Sequence, residues 1–231
     1  MADSKKLVID IETSGVDFDM LSDSQQEYLL REAQKEKTEE ARIAKQEEIK
    51  GWTSLWPFTA QVVVIGLYDP QLGKAFVYYN TPVPEEFTND ETGDVYKGMP
   101  EKDMLEKFWA GVTKYNQIIT FNGRGFDIPF LMLRSAMLGV KPSKNFMGNR
   151  FSTTDHVDLL ETLSFYGAYK RFNLDFYCQG FGITSPKAEG VTGHDVKRLF
   201  DEGEIMTVAE YCARDIKATY ELYKFYDQFL K

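Results

Sequence analysis

Between Lys6 and Ile11 the chain is apolar at Leu7, Val8, Ile9 and Ile11, and Asp10 and Glu12 interrupt and close the run. Apolar residues at consecutive positions, rather than at alternate ones, predict a strand buried on both faces in the middle of a sheet. Side chains alternate along a strand, so Asp10 and Glu12 project to one face while Ile11 points to the other. Two acids beside a buried strand need compensation, unless the strand ends there and both are solvated.

The remainder of the chain is read around that strand. Residues 23–50 hold eight acidic and six basic side chains with neither Gly nor Pro. This composition predicts a long, solvent-exposed helical segment with room for one break, supported by pairs such as Glu27 with Arg31. Trp52, Trp56 and Pro57 mark the return to the core. A strand follows at Gln61 to Tyr68, then a turn at Asp69 to Gly73 and a second strand at Lys74 to Tyr79, forming a hairpin. Residues 80–100, rich in Pro, Thr, Asn and Gly, read as loop. Beyond them come a helix near Lys102 to Lys114, a strand at Gln117 to Phe121, a helix near Asp127 to Leu138 and a polar loop from Gly139 to Ser152. The last part reads as mainly helical, with Asp158 and Asn173 as N-caps and a final helix near Thr207 to Leu230. The pattern indicates an α/β protein with a mixed central sheet flanked by helices. With 231 residues and 43% hydrophobic content, one domain over 1–231 is expected, carrying 17–55 as a charged helical insertion after the first strand.

Two further groups of residues can carry chemistry. In Phe121-Asn122-Gly123-Arg124-Gly125-Phe126-Asp127-Ile128-Pro129, the glycines permit a tight turn and Pro129 suits a first helical turn. Asp127 then stands near a helix N-terminus, where a cap is a sufficient reason for an acid, and Phe126 serves equally as a hydrophobic staple. In Tyr211-Cys212-Ala213-Arg214-Asp215, Tyr211 and Asp215 lie four apart and share one helix face.

Taken together, DxE on the first strand, N-x3-FD at a strand-to-helix turn and Y-x3-D late in the chain resemble the DEDD exonuclease superfamily, which has a ribonuclease H-like fold. The tyrosine form (DEDDy) fits, because Glu210 stands where the histidine form places its His. The sequence is similar to predicted 3′–5′ exonucleases related to the proofreading domain of family B DNA polymerases. The likeness covers Lys6 to Glu12 and most of 60–230, and leaves 17–55 outside.

That resemblance implies a metal-dependent 3′–5′ exonuclease acting on a nucleic acid with a free 3′ end, single-stranded or mispaired DNA in preference to RNA. Asp10, Glu12, Asp127 and Asp215 match the metal-binding acids, and Tyr211 the tyrosine beside the attacking water. Two divalent ions, Mg2+ or Mn2+, are implied, roughly 3.5–4 Å apart; oxygen donors favour these over zinc. The backbone around Thr13, with Asn122 and Phe126, is implied to bind substrate. The alternatives are an exoribonuclease of the same chemistry and a catalytically silent nucleic-acid-binding adaptor that uses the helical insertion; all four acids and Tyr211 are present, whereas loss of even one would mark a silent relative.

Several features constrain the rest. A net charge of −9 argues against broad attraction to a polyanion, although acids that hold cations appear as bare negative charge. Lys141, Lys144, Arg150, Lys170 and Arg171 could follow phosphates, as could Lys187, Lys197 and Arg198, with a solvated surface an equal or better reading. His156 and His194 fall outside the motifs and are expected to be structural or surface residues. Cys178 and Cys212 lack CxxC spacing and read as buried thiols. No apolar run is long enough to cross a bilayer, so a soluble, cytoplasmic protein without membrane contact is expected. The insertion 17–55 reads as an arm for a protein partner, a clamp over the substrate strand or a solvated decoration, with its mixed charge and thin apolar stripe favouring the last.

Overall fold

A computed structural model describes residues 5–185 and 190–231. In chain order it contains β1 (Lys6–Gly15), α1 (Asp23–Leu30), α2 (Glu39–Lys50), β2 (Ala60–Asp69), β3 (Lys74–Asn80), β4 (Glu85–Thr88) and β5 (Val95–Met99). These are followed by α3 (Glu101–Val112), β6 (Gln117–Thr120), α4 (Asp127–Met137), β7 (His156–Asp158), α5 (Leu159–Leu163), α6 (Leu174–Gly180), α7 (Val196–Asp201) and α8 (Ile205–Phe229).

The strands form one seven-stranded mixed sheet in the order β4-β5-β3-β2-β1-β6-β7. β1 is central, antiparallel to β2 and parallel to β6. The alternation along it sorts the core into two layers. Leu7, Ile9 and Ile11 face the layer built from α3 and α4, with Phe108, Ile128 and Leu131. Val8 faces the layer built from α8, with Val208, Cys212 and Ile216. Asp10 and Glu12 share the parity of Val8, so strand geometry alone turns both acids towards α8. The β1–β2 register slips after Glu12, which faces Val64, whereas Thr13 faces Val62.

Glu101 fastens the α3–α4 layer to the sheet. Its carboxylate accepts from the Val62 backbone N–H at 2.7 Å and receives Arg134 through Nε at 2.8 Å and Nη2 at 2.9 Å.

Residues 80–100, expected as loop, contain two strands. β4 is exposed throughout, so it offers no alternation of burial to read. It is a short edge strand held by pairing to β5 and by Phe87, which stacks on Tyr96 with centroids 4.8 Å apart. β7 also lies in a part read as helical. Its three residues pair in parallel with β6, and so short a strand exists only through that partner.

The charged insertion is helical and broken once, at a 3-10 turn over Ala33–Lys35. Ser22 opens α1 by donating its backbone N–H to Gln25 Oε1 at 3.1 Å, and Thr38 opens α2 by accepting from the Ala41 N–H at 3.2 Å. No residue of α1 is buried. The exposed pairs along the insertion, Glu27–Arg31 among them at 3.9 Å, add little, because solvent screens them. The predicted N-caps hold: Asp158 accepts from the N–H groups of Leu160 and Glu161, and Asn173 from that of Phe176. Among the described residues no helix is long and apolar enough to cross a membrane.

Candidate active site

Asp10 and Glu12 reach the α8 face of the sheet at its centre, and three features of the chain bring other groups to them. The first is the turn after β6. Asn122 adopts a left-handed conformation (φ 65°), and Gly123 and Gly125 pass so close to neighbours that a Cβ would stand 2.3 Å from Thr120 Oγ1 and 2.6 Å from Asn122 Oδ1. Asp158 holds this turn, accepting from the N–H of Asn122 at 3.0 Å and of Arg124 at 2.8 Å. Asp127 then begins α4 only 3% exposed. Beyond the capping role the sequence allows, its Oδ1 accepts the Ile11 N–H of β1 at 3.0 Å. Phe126 packs on Phe130 with centroids 5.6 Å apart, but from the N-cap position itself rather than from the preceding position a hydrophobic staple uses.

The second is α8, whose inner face presents Tyr211, Cys212 and Asp215. Tyr211 stands close enough to the Asp215 carboxylate for that charge to act on its phenol. The Cys212 thiol donates to Asp10 Oδ2 at 3.5 Å, and lies 3.8 Å from the Asp10 carbonyl. The third is the end of the insertion, where the Thr13 hydroxyl donates to the Ser54 carbonyl at 2.6 Å and the Gly15 N–H donates to Ser54 Oγ at 2.9 Å.

The electrostatics identify one cluster. Burial, then the charges of Asp127, Glu12 and Asp215, raises the Asp10 carboxyl well above the ordinary range. Burial, then Asp215 and Asp127, does the same to Glu12. Burial pushes Asp127 up to about 7 against the lowering effect of backbone N–H groups, its own and that of Ile11. Burial and the charges of Glu12, Asp215 and Asp10 hold the Tyr211 phenol far above its usual value, so it stays protonated. Among the described residues no Lys or Arg pairs with Asp10, Glu12 or Asp127. Buried carboxylates that repel one another and lack a cationic side chain fit divalent cations, and their hard oxygen donors suit Mg2+ or Mn2+. One donor departs from that set: Asp10, Glu12 and Cys212 each offer an atom within 4.8 Å of the others.

A cleft of about 660 Å³ opens over the acids. Of the residues singled out from the sequence, Glu12, Thr13, Asn122, Phe126, Tyr211 and Asp215 line it, whereas Asp10 and Asp127 are not part of its lining. Ser54, Leu55, Arg171, Phe172 and His194 line it too. Apart from Arg171, named as a candidate phosphate contact, no motif marks these as site residues, since they come from the insertion and from two connections far from any motif. His194 is exposed, as expected of a surface residue, yet its place on the cleft was not anticipated. His156 is structural: it is buried between Thr120 Oγ1 at 2.8 Å and the Phe146 carbonyl at 3.2 Å, and burial lowers its pKa to about 4. Both cysteines are buried and free, as read from their spacing.

Most of the candidate phosphate-following cations are paired elsewhere. Lys144 meets Asp155, Lys197 bridges Asp17 and Asp201, and Arg198 lies between Asp195 and Glu202. Arg150 and Arg171 both pair with Glu161, and only Arg171 of these lines the cleft. Lys187 lies outside the described residues.

Comparison with known proteins agrees with this geometry. The family described as predicted 3′–5′ exonuclease related to the exonuclease domain of PolB matches residues 87–229, which include Asp127, Tyr211 and Asp215, while Asp10 and Glu12 precede it. A DNA polymerase of Desulfurococcus sp. (strain Tok) is 34% identical over 141 residues, 54% of this chain and 18% of its own length. One from Thermococcus gorgonarius is 32% identical over 141 residues, with the same coverage of 54% and 18%. The chain thus spans under a fifth of these relatives. The family B DNA polymerase of the hyperthermophilic archaeon Pyrobaculum calidifontis superposes over 97% of this chain and 24% of its own, with a TM-score of 0.61 at 18% identity, a likeness of fold. The chain therefore has the ribonuclease H-like fold and belongs to the family of predicted 3′–5′ exonucleases related to the exonuclease domain of PolB.

Proposed function

We propose that residues 1–231 act as a single 3′–5′ exonuclease domain with 17–55 as its insertion, hydrolysing phosphodiester bonds at the 3′ end of single-stranded or mispaired DNA. The observation that carries this reading is the convergence of Asp10, Glu12, Asp127 and Asp215, each buried or half-buried, with a protonated tyrosine among them. DNA is preferred to RNA because the similar full-length proteins are DNA polymerases.

The four carboxylates would hold two divalent ions, which supply Lewis-acid activation of water and of the leaving 3′ oxygen. Tyr211 cannot serve as a base, because its phenol keeps its proton at any physiological pH. It acts as a hydrogen-bond partner that orients water beside Asp215. Asp127 anchors α4 to β1 through the Ile11 N–H, so the third acid is fixed relative to the first two. The Thr13 hydroxyl is already spent on Ser54. What Thr13 offers a terminal nucleotide is its backbone, beside the slip in register. Asn122 and Phe126 provide a polar and an aromatic contact on the same cleft.

A 5′-labelled single strand incubated with Mg2+ or Mn2+ tests the proposal. A descending ladder that disappears with chelator and with Asp10→Ala is expected. Failure to digest either DNA or RNA refutes it.

A further inference from the structure

Rings and cations follow one another in the segment that supplies Arg171 and Phe172 to the cleft. Arg171 and Phe172 line it together with Glu12, Tyr211 and Asp215. Phe172 stacks on Phe176 with centroids 4.2 Å apart and planes 7° from parallel. Phe176 nevertheless remains 56% exposed, and Phe165 and Tyr169 are 62% and 64% exposed. Core packing does not explain rings left in water within so short a segment, and exposed apolar surface gathered beside a cleft marks a binding site.

Phe165 is held outward at some cost. It and Tyr166 both adopt left-handed backbone conformations, with φ of 49° and 58°. Bulky side chains rarely take that conformation unless the surroundings impose it.

The cations here are oriented. Buried Glu161 gives one carboxylate oxygen to Arg150 and the other to Arg171. Both arginines stay about half exposed, at 50% and 45%, with donors left for a second anion. Lys170 lies 5.1 Å from the centroid of the Phe172 ring. In a chain of net charge −9, cations interleaved with exposed rings beside the cleft are a local exception.

We propose that Phe165, Tyr169, Phe172 and Phe176, with Lys170 and Arg171, form a platform for the unpaired DNA strand upstream of the terminal nucleotide. The inference deepens the exonuclease reading and starts from it, since a strand whose 3′ end lies over the acids must leave the cleft somewhere. Bases stack on aromatic faces without regard to sequence, and Arg171, fixed by Glu161, meets the backbone phosphate. A protein surface would match the rings but would not require cations alternating with them.

The test is binding of a fluorescein-labelled ten-nucleotide oligothymidylate to the full chain in Ca2+, followed by anisotropy. Phe165→Ala and Phe176→Ala alter exposed rings, and thermal melts confirm that both variants fold. Each is expected to weaken binding about tenfold, with a smaller loss for a thymidine dinucleotide used as competitor. Arg171→Ala is expected to flatten the salt dependence by about one ion. Affinity within twofold of the parent for both ring variants overturns the platform, as does failure of the parent to bind. A dimer that the ring variants dissociate, with strand affinity unchanged, overturns it in favour of a second copy. Cleavage in Mg2+ is scored separately: a strand that is cut, but bound independently of the rings, removes only the platform. A strand bound through the rings but never cut supports the platform and removes the nuclease assignment.

Discussion

Gly66 and Cys212 occupy the same space: a Cβ on Gly66 would stand 2.6 Å from the Cys212 thiol. Gly66 is also the register partner of Asp10 across the β1–β2 ladder. The missing side chain is thus what lets the thiol donate to the Asp10 carboxylate. Gly66→Ala should destabilise the fold by about 1–3 kcal/mol through overpacking. Adding Cys212→Ala should recover part of that loss. Urea melts of the two single variants and the double variant form a cycle, and strictly additive losses would show that the two sites do not share this space.

Removing the Tyr211 hydroxyl tests water orientation. Tyr211→Phe keeps the ring packed in α8 and should lower kcat about tenfold to a hundredfold under saturating Mn2+. Its melting temperature should move little. An unchanged single-turnover rate would exclude this role for the hydroxyl.

The acids should make the effect of metal depend on pH. Their carboxyls are raised in the folded chain, so the fold binds protons more tightly than the unfolded chain does. Without metal they reduce stability as pH rises from the ordinary carboxylate range through about 7, the value for Asp127. A bound cation relieves that penalty. The gain in melting temperature from Mg2+ over EDTA should grow across this window. At a hundredfold excess over Kd the corresponding gain in stability should reach about 2.7 kcal/mol. A gain that is constant or falls with rising pH would contradict a site built from these carboxylates.

His156 acts in the opposite direction. Its pKa is depressed to about 4, so the neutral ring contributes its full stability above the unfolded value of about 6.5. That contribution is lost as pH falls towards 4, and amounts to about 3 kcal/mol over the whole window. With Mg2+ bound, stability should therefore decline on the acid side. His156→Gln should shorten that decline, as followed by melts between the two pH limits.

Asp158 is the support of the motif turn. It accepts from the backbone of Asn122, Arg124, Leu160 and Glu161. Asp158→Ala leaves several buried donors without a partner and should cost about 3 kcal/mol or more. Activity should fall further than stability, because Asn122 and Asp127 lose their placement. Full activity in this variant, measured well below its melting temperature, would show that the turn holds without the carboxylate.

The parity of Asp10 and Glu12 could be read from spacing because strand geometry is local. The turn at Asn122 and the caps at Asp158 and Asn173 were legible for the same reason. β4 and β7 were not, because one is wholly exposed and the other has three residues; each depends on a neighbour distant in sequence. Phe172 was not singled out, and the places of Arg171 and His194 on the cleft were not legible, because nothing local marks a loop residue as facing a cleft. Asp127 illustrates the boundary. Its place at a helix start was visible, but its bond to Ile11 joins positions 116 apart.

The hydrogen bond between Cys212 and Asp10 spans 202 positions. On the ribosome, β1 emerges long before α8 exists, and no earlier fragment contains Asp215 or Tyr211. The acids of β1 therefore stay apart from Asp215 and Tyr211 until α8 has been made and docks. A site built from all of them appears only after that long-range contact forms, so the order of translation itself delays its assembly.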